Sequence, residues 1–285
     1  MGTLSESELI INKDGSIYHL NLKPGDVSDT IIAVGDPGRV YMVSQYFDSI
    51  TFEMNKREFI THTGIYKGKK LTVISTGMGT DNIEIFLTEL DALFNIDFKT
   101  RLVRSRKKKL NIIRIGTSGA LQEDIQLGTH LVSEYGVGLD TLMHFYKLPQ
   151  SDFERKMALA IQAQLKLPFT PYLAKGSDTL MKNLAFDLVK GNTITSPGFY
   201  APQGREIRLP IKNPSMVQEL SYFHNEEFWI TNFEMETAGY YSLCRLLGHE
   251  MLSVNAIVAN RVSGTFSEDA NQVVDSLIRK ILDRI

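Results

Sequence analysis

The chain has 285 residues, a formal net charge of -2 and 43% hydrophobic residues, with a single cysteine. That length can enclose a well-buried core, and the near-neutral charge gives no electrostatic reason to expect nucleic-acid or bilayer binding. One cysteine excludes an internal disulfide framework and fits a reducing compartment.

Ser5, Glu6, Ser7 and Glu8 break up any apolar core near the start, and no apolar run reaches membrane-spanning length. A soluble, cytoplasmic protein is therefore expected. No repeat or low-complexity linker divides the sequence, so one domain over residues 17–285 is expected after an N-terminal extension, residues 1–16. Ile31–Val34 is a short apolar run closed by Gly35-Asp36-Pro37-Gly38, and Val40, Met42, Val43 and Tyr46 follow at helical spacing. That pattern predicts strand, turn and helix, with Pro37 in the first helical turn. Glu58–Tyr66 and Leu71–Ser75 are expected strands joined at Lys67-Gly68-Lys69-Lys70, and Asn82–Phe94 an expected helix. Arg101 to Lys109 is the most basic stretch; its surroundings do not share the charge, so it reads as a solvated loop. Leu110–Ile115 is an expected strand ending in Gly116-Thr117-Ser118-Gly119, and Thr129–Gly138 another.

In the second half, helices are expected over Asp152–Leu165, after Pro214, over Glu234–Leu247 and over Glu268–Ile285. Thr170–Lys175, Asn192–Ser196 and Met251–Ala259 are expected to be extended. Cys244 falls on the helical pattern of Tyr240, Tyr241, Leu243 and Leu247 and reads as a small buried hydrophobe. Alternation of strands and helices implies an α/β fold, a central mixed β-sheet flanked by helices, with ligands at the carboxyl ends of its strands.

Three glycine-bearing segments follow strands: Gly35-Asp36-Pro37-Gly38-Arg39, Ser75-Thr76-Gly77-Met78-Gly79 and Arg114-Ile115-Gly116-Thr117-Ser118-Gly119. Glycine lets a backbone approach an anion, a following helix offers unpaired N–H groups, and arginine adds a fixed charge. None is a Walker A loop or a G-x-G-x-x-G fingerprint. Phe199, Gln203 and Arg205 set a ring, an amide and a guanidinium at i, i+4 and i+6, a set that can stack on a flat heterocycle and bond its imide edge. Glu234 and Glu236 read as acids in a first helical turn, favoured there by the helix dipole. A carboxylate so placed can also hold the vicinal hydroxyls of a ribose, with Met235 as an apolar floor.

Taken with Arg57-Glu58-Phe59, and in this order, these segments resemble the nucleoside phosphorylase family, and within it the uridine phosphorylases, which carry a segment like Phe199 to Arg205. The likeness runs from about Tyr18 to the C-terminus. It implies phosphate binding by Gly35, Arg39, Arg114 and Thr117, joined by Arg57 of a neighbouring subunit. It implies ribose binding by Met235 and Glu236, with the neighbour's His19 near the 5′-hydroxyl, and base binding by Phe199, Gln203 and Arg205. Arg114, Gln203, Arg205 and Arg261 are the implied catalytic set, Arg261 supporting the base loop. The implied reaction is phosphate-dependent, reversible cleavage of uridine to uracil and ribose 1-phosphate, with inorganic phosphate as co-substrate and no obligatory cofactor or metal. The implied assembly is at least a homodimer, with a hexamer known among relatives and a monovalent cation at the dimer interface, near Glu58, allowed by analogy. Purine members usually place an aspartate after the late strand, whereas this chain reads Asn260-Arg261. The alternatives are a purine or broad-specificity phosphorylase, a nucleosidase, and a non-catalytic storage or binding member.

Overall fold

A computed structural model describes residues 2–285. The first half runs β1 (Thr30–Val34), α1 (Pro37–Ser44), β2 (Ser49–Lys56), β3 (Phe59–Tyr66), β4 (Lys69–Ser75) and α2 (Thr80–Asn95). Short β5 (Ile96–Asp97) and β6 (Leu102–Val103) precede the long β7 (Asn111–Ala120) and β8 (His130–Gly138). Then come α3 (Asp152–Leu165), β9 (Tyr172–Lys175), α4 (Asp178–Leu184), β10 (Val189–Thr195) and α5 (Met216–Ser221). The chain ends with β11 (His224–Asn225), β12 (Phe228–Trp229), β13 (Asn232–Glu234), α6 (Thr237–Leu247), β14 (Glu250–Asn260), β15 (Thr265–Phe266) and α7 (Ala270–Leu282).

Eleven of these strands form one mixed sheet, in the order β15-β14-β8-β10-β13-β7-β1-β4-β3-β2 with β9 beside β8. Because β14 pairs with both β7 and β8, the strands β14, β8, β10, β13 and β7 close a ring. Side chains alternate across the sheet as a period of two requires. Ile31, Ala33 and Ile112 pack with Phe86, Leu90 and Tyr240 of α2 and α6. Their neighbours Ile32, Val34 and Ile113 pack on the opposite face with Val40, Val43, Leu277 and Ile281 of α1 and α7. Strands covered on both faces read as continuous apolar runs, which is why β1 and the start of β7 were plain in the sequence.

Local chemistry explains the boundaries. Asp36 caps α1 by accepting the Gly38 N–H at 2.8 Å, with Pro37 first in the helix. Ser151 and Glu154 form a reciprocal capping box on α3. Two expectations need correction. The acids Glu234 and Glu236 do not lie in a first helical turn: Glu234 ends β13 and α6 begins at Thr237. Gly116 to Gly119 is not a loop either, since β7 continues to Ala120, paired along its length with β14.

The N-terminal segment and the basic stretch meet. Arg101, at φ 55, donates from Nε to the Leu4 carbonyl at 2.9 Å and from Nη2 to the carbonyls of Ser5 and Leu9. Leu9 is buried in the same cluster as Ile17 and Leu20. Lys108 pairs with Asp29 at 2.6 Å, Lys109 with Glu250, and Arg104 lies 3.9 Å from Asp97. Three of the stretch's six cations are thus paired with acids at the surface.

Candidate active site

The site arises from a change of partner along one strand. From Asn111 to Arg114, β7 pairs with β1, and it next meets a neighbour on that edge at Gly119, opposite Phe233 of β13. Between those points the sheet splits. Strands β1 and β14 pair parallel with β7, and β4 pairs parallel with β1, so their carboxyl ends open toward the same gap. A cavity of about 600 Å³ fills it, within the size range of small-molecule sites.

One end of the cavity is cationic. Gly35 and Arg39 reach it from the β1–α1 turn, and Arg114 and Thr117 from β7. Arg39 forms no ion pair among the described residues; burial and the nearby Arg114 charge lower its pKa, with Asp36 and Glu236 opposing. Arg114 is 5% exposed and held at four points. Its Nη1 donates to Asn255 Oδ1 at 2.9 Å and Ser253 Oγ at 3.3 Å, and its Nη2 lies 2.6 Å from Glu236 Oε2 and 2.9 Å from Glu234 Oε2. Burial works against this charge, but the two carboxylates outweigh it and raise the pKa of Arg114. The guanidinium lies back over its own strand, in space left by the missing side chain of Gly116.

In the middle of the cavity stand Met235 and Glu236. Glu236 Oε1 accepts the Gly79 N–H at 2.9 Å, at the start of α2, while Oε2 takes Arg114. Each oxygen accepts once, so each retains a lone pair for a ligand hydroxyl.

The far end carries an aromatic face and a polar edge. Phe199 and Phe233 line it, with the Arg205 guanidinium 3.8 Å above the Phe199 ring centroid. Arg205 donates to the Phe199 carbonyl at 2.7 Å and to Gln203 Oε1 at 2.5 Å. Burial, and then the Arg261 charge, lower the Arg205 pKa to about 10, which leaves it cationic at neutral pH. Gln203 is 3% exposed; it sits in a single 3-10 turn, Ala201–Gln203, closed by Gly204 at φ 67. A positive φ suits glycine, and here it reverses the chain so that Gln203 and Arg205 face the same space.

Three expected residues do not line this cavity. Arg261 stands behind it, 5.4 Å over the Phe233 ring, and donates to the Gln203 carbonyl at 3.0 Å. It acts on the loop that carries Gln203, not as a member of the wall. Arg57 is exposed at the tip of the β2–β3 hairpin, at φ 55, with Tyr18 5.8 Å away. His19 lines a separate cavity, where Nδ1 is 2.6 Å from Glu89 Oε1 and the N–H groups of His19 and Leu20 also bond Glu89.

Sequence reasoning missed Glu58, Phe233 and Phe266 as lining residues, and weighed Glu234 only as a candidate ribose ligand. Phe233 and Glu234 adjoin Met235, and strand alternation was the available clue. Phe266, 68% exposed, had none. Asn260 is fully engaged elsewhere: Nδ2 donates to the carbonyls of Gln122 and Ile125, and Oδ1 accepts the N–H groups of Val262 and Ser263. That position carries an amide, not a carboxylate, and the amide is held by backbone groups.

The chain is similar to known proteins over most of its length. A uridine phosphorylase of Thermococcus kodakarensis is 30% identical over 259 residues, covering 90% of this chain and 82% of that protein. A purine nucleoside phosphorylase, DeoD-type, of Bacillus cereus is 26% identical over 93% of this chain and 97% of its own length. A crystal structure of a Trypanosoma brucei nucleoside phosphorylase, described as showing uridine phosphorylase activity, superposes with a TM-score of 0.88 at 32% identity. The match covers 97% of this chain and 98% of that one. Residues 29–285 match the phosphorylase superfamily, and the chain belongs to that family.

Proposed function

We propose that the protein is a uridine phosphorylase, cleaving uridine with inorganic phosphate to uracil and ribose 1-phosphate. The observation that carries the choice of base is the far end of the cavity. There Gln203 and Arg205 present an amide and a cation beside the Phe199 face, while Asn260 is turned away and spent. The similarity to relatives named for uridine cleavage supports it.

Cleavage of an N-glycosidic bond builds positive charge on the sugar and negative charge on the departing base. In this reading Arg39, Arg114, Thr117 and the Gly35 backbone hold phosphate for attack on the anomeric carbon. Glu236 accepts the ribose hydroxyls, and Met235 packs against the ring. Arg205 and Gln203 receive the charge that develops on the uracil oxygens. One preorganised donor of this kind lowers the barrier by about 3 kcal/mol. Positioning of two reactants supplies a further large share, and none of these steps requires a proton donor at the base ring.

Arg57 and His19 reach no part of this chain's own cavity, so we place them in the site of a second copy; the working unit is then a homodimer. The test is initial-rate cleavage of uridine, cytidine, inosine and adenosine, each with and without phosphate. Phosphate-dependent cleavage with uridine preferred is expected; preference for inosine would establish the purine reading instead.

A further inference from the structure

Two acids flank Met235, and counting their hydrogen bonds separates their roles. Glu236 accepts once at each oxygen. Glu234 is saturated. Its Oε1 accepts the Thr195 hydroxyl at 2.7 Å and the Thr237 N–H at 3.0 Å. Its Oε2 accepts the N–H groups of Glu236 and Thr237, both at 2.9 Å, and lies 2.9 Å from Arg114 Nη2. An ionised carboxylate offers about four lone-pair positions, and four donors, the Thr237 N–H shared between both oxygens, leave none for a ligand. Glu234 lines the cavity, with its side chain 2% exposed, yet cannot accept from a ribose or a base.

What it touches is both halves of the reaction site. Through the Glu236 N–H and the first turn of α6 it fixes the carboxylate proposed to hold ribose. Through Arg114 it fixes the guanidinium proposed to hold phosphate. Burial raises the Glu234 pKa, but the Arg114 cation and the donors on its two oxygens oppose that and hold it ionised, so it adds a second negative charge beside a cation that already carries one in Glu236. A phosphate anion arriving at Arg114 must share that cation with two carboxylates, in a site where burial strengthens every charge interaction.

We infer that Glu234 is a positioning residue that holds Arg114 and Glu236 in register and weakens the grip of Arg114 on phosphate. This rests on the reading of Arg114 as the phosphate ligand. The charge of Glu234 keeps phosphate from being bound too tightly in the ground state. Binding strength present equally before and during reaction does not raise turnover, whereas fixed geometry does.

The sign of the effect separates this from a purely structural role. In Glu234→Gln, the amide oxygen can keep the contacts of Oε2 while the amide nitrogen meets Thr195, whose hydroxyl can turn to accept. The Thr237 N–H keeps its bond at Oε2, Thr195 Oγ1 still accepts the Ala238 N–H, and one negative charge is removed, with folding checked by Tm. Inorganic phosphate should then bind the free enzyme about three- to tenfold more tightly by calorimetry, while kcat at saturation falls about tenfold or more. Glu234→Asp, one carbon shorter, can follow the helix N–H groups but draws back from Arg114. It should show a smaller tightening in the same direction. If every folded variant binds phosphate with unchanged or weakened affinity, the inference is overturned. Phosphate binding is read without nucleoside, so its outcome is independent of which base the wild-type enzyme prefers. A wild-type protein that binds no phosphate would remove the reading of Arg114 itself.

Discussion

Gly116→Ala tests the least obvious dependence in the site, because Gly116 touches no ligand in any reading. A Cβ built there stands 2.7 Å from Arg114 Nη2 and closer still to Nη1 and Cζ. An ordinary contact is about 3.5 Å, so the guanidinium must retreat by about 1 Å or more. It has little room, being 5% exposed and tied to Glu234, Glu236, Ser253 and Asn255. Misplacing a group that positions a reactant by 1 Å costs about a hundredfold in rate. Forcing an extra methyl into a packed interior costs about 1–3 kcal/mol of stability. A fall of about a hundredfold in kcat/KM for phosphate is expected, with a drop of a few degrees in Tm. The decisive comparison is a double-mutant cycle with Arg114→Ala. With the guanidinium gone, the added methyl has nothing to displace, so the double variant should be no slower than Arg114→Ala alone. Additive losses, or a Gly116→Ala enzyme with normal phosphate kinetics, would refute the reasoning.

Other perturbations address other parts of the molecule. Arg57→Ala and Arg114→Ala should each be nearly inactive, but a mixture under subunit exchange should regain activity, since some mixed dimers hold one intact site; exchange without recovery would place Arg57 outside the partner's site. Gln203→Ala should slow uridine cleavage and narrow the gap between uridine and cytidine, because an unmatched buried polar group costs about 1–3 kcal/mol; an unchanged ratio would remove Gln203 from base selection. His62 is 3% exposed and bonded to Ser44 Oγ at 2.8 Å, and burial lowers its pKa below the ordinary 6.5. The unfolded chain then binds more protons near and below pH 6.5, so stability is lost as pH falls through that window toward the folded value. Tm should drop from pH 7.5 to 5, less steeply in His62→Asn, and equal slopes would exclude His62 as a contributor.

How much of this was legible in the sequence depended on the range of the interaction. The turns after β1 and β4 declared themselves because an apolar run, a glycine and a helix start are neighbours in the chain. The base loop was legible for the same reason: Phe199, Gln203 and Arg205 lie within seven residues, on and beside the single 3-10 turn Ala201–Gln203. Register was not legible. Arg114 stands opposite Ser253, and Gly116 opposite Asn255, through pairing of strands more than a hundred residues apart. That pairing supplies the two polar groups that fold the guanidinium back over Gly116. A sequence reading sees an arginine before glycines and infers a free cation at a strand end. The folded chain instead gives a cation already held by two carboxylates, within a strand that has just lost one neighbour.

The same distinction explains why the two acids were misplaced. A local rule puts adjacent carboxylates into a first helical turn, where the helix dipole favours them. Here the favourable field is used differently. Glu234 stays in β13 and caps α6 from outside, accepting the N–H groups of Glu236 and Thr237. That leaves Glu236 at the junction, with its carboxylate turned to Gly79 and Arg114 instead of its own helix. Had both acids entered the helix, their i, i+2 spacing would have put their side chains on different faces of one turn. The strand-to-helix break between Glu234 and Thr237 aims both at one guanidinium. A site for phosphate and sugar thus depends on where α6 starts, and that start is set by a buried carboxylate whose own oxygens have no capacity left for substrate.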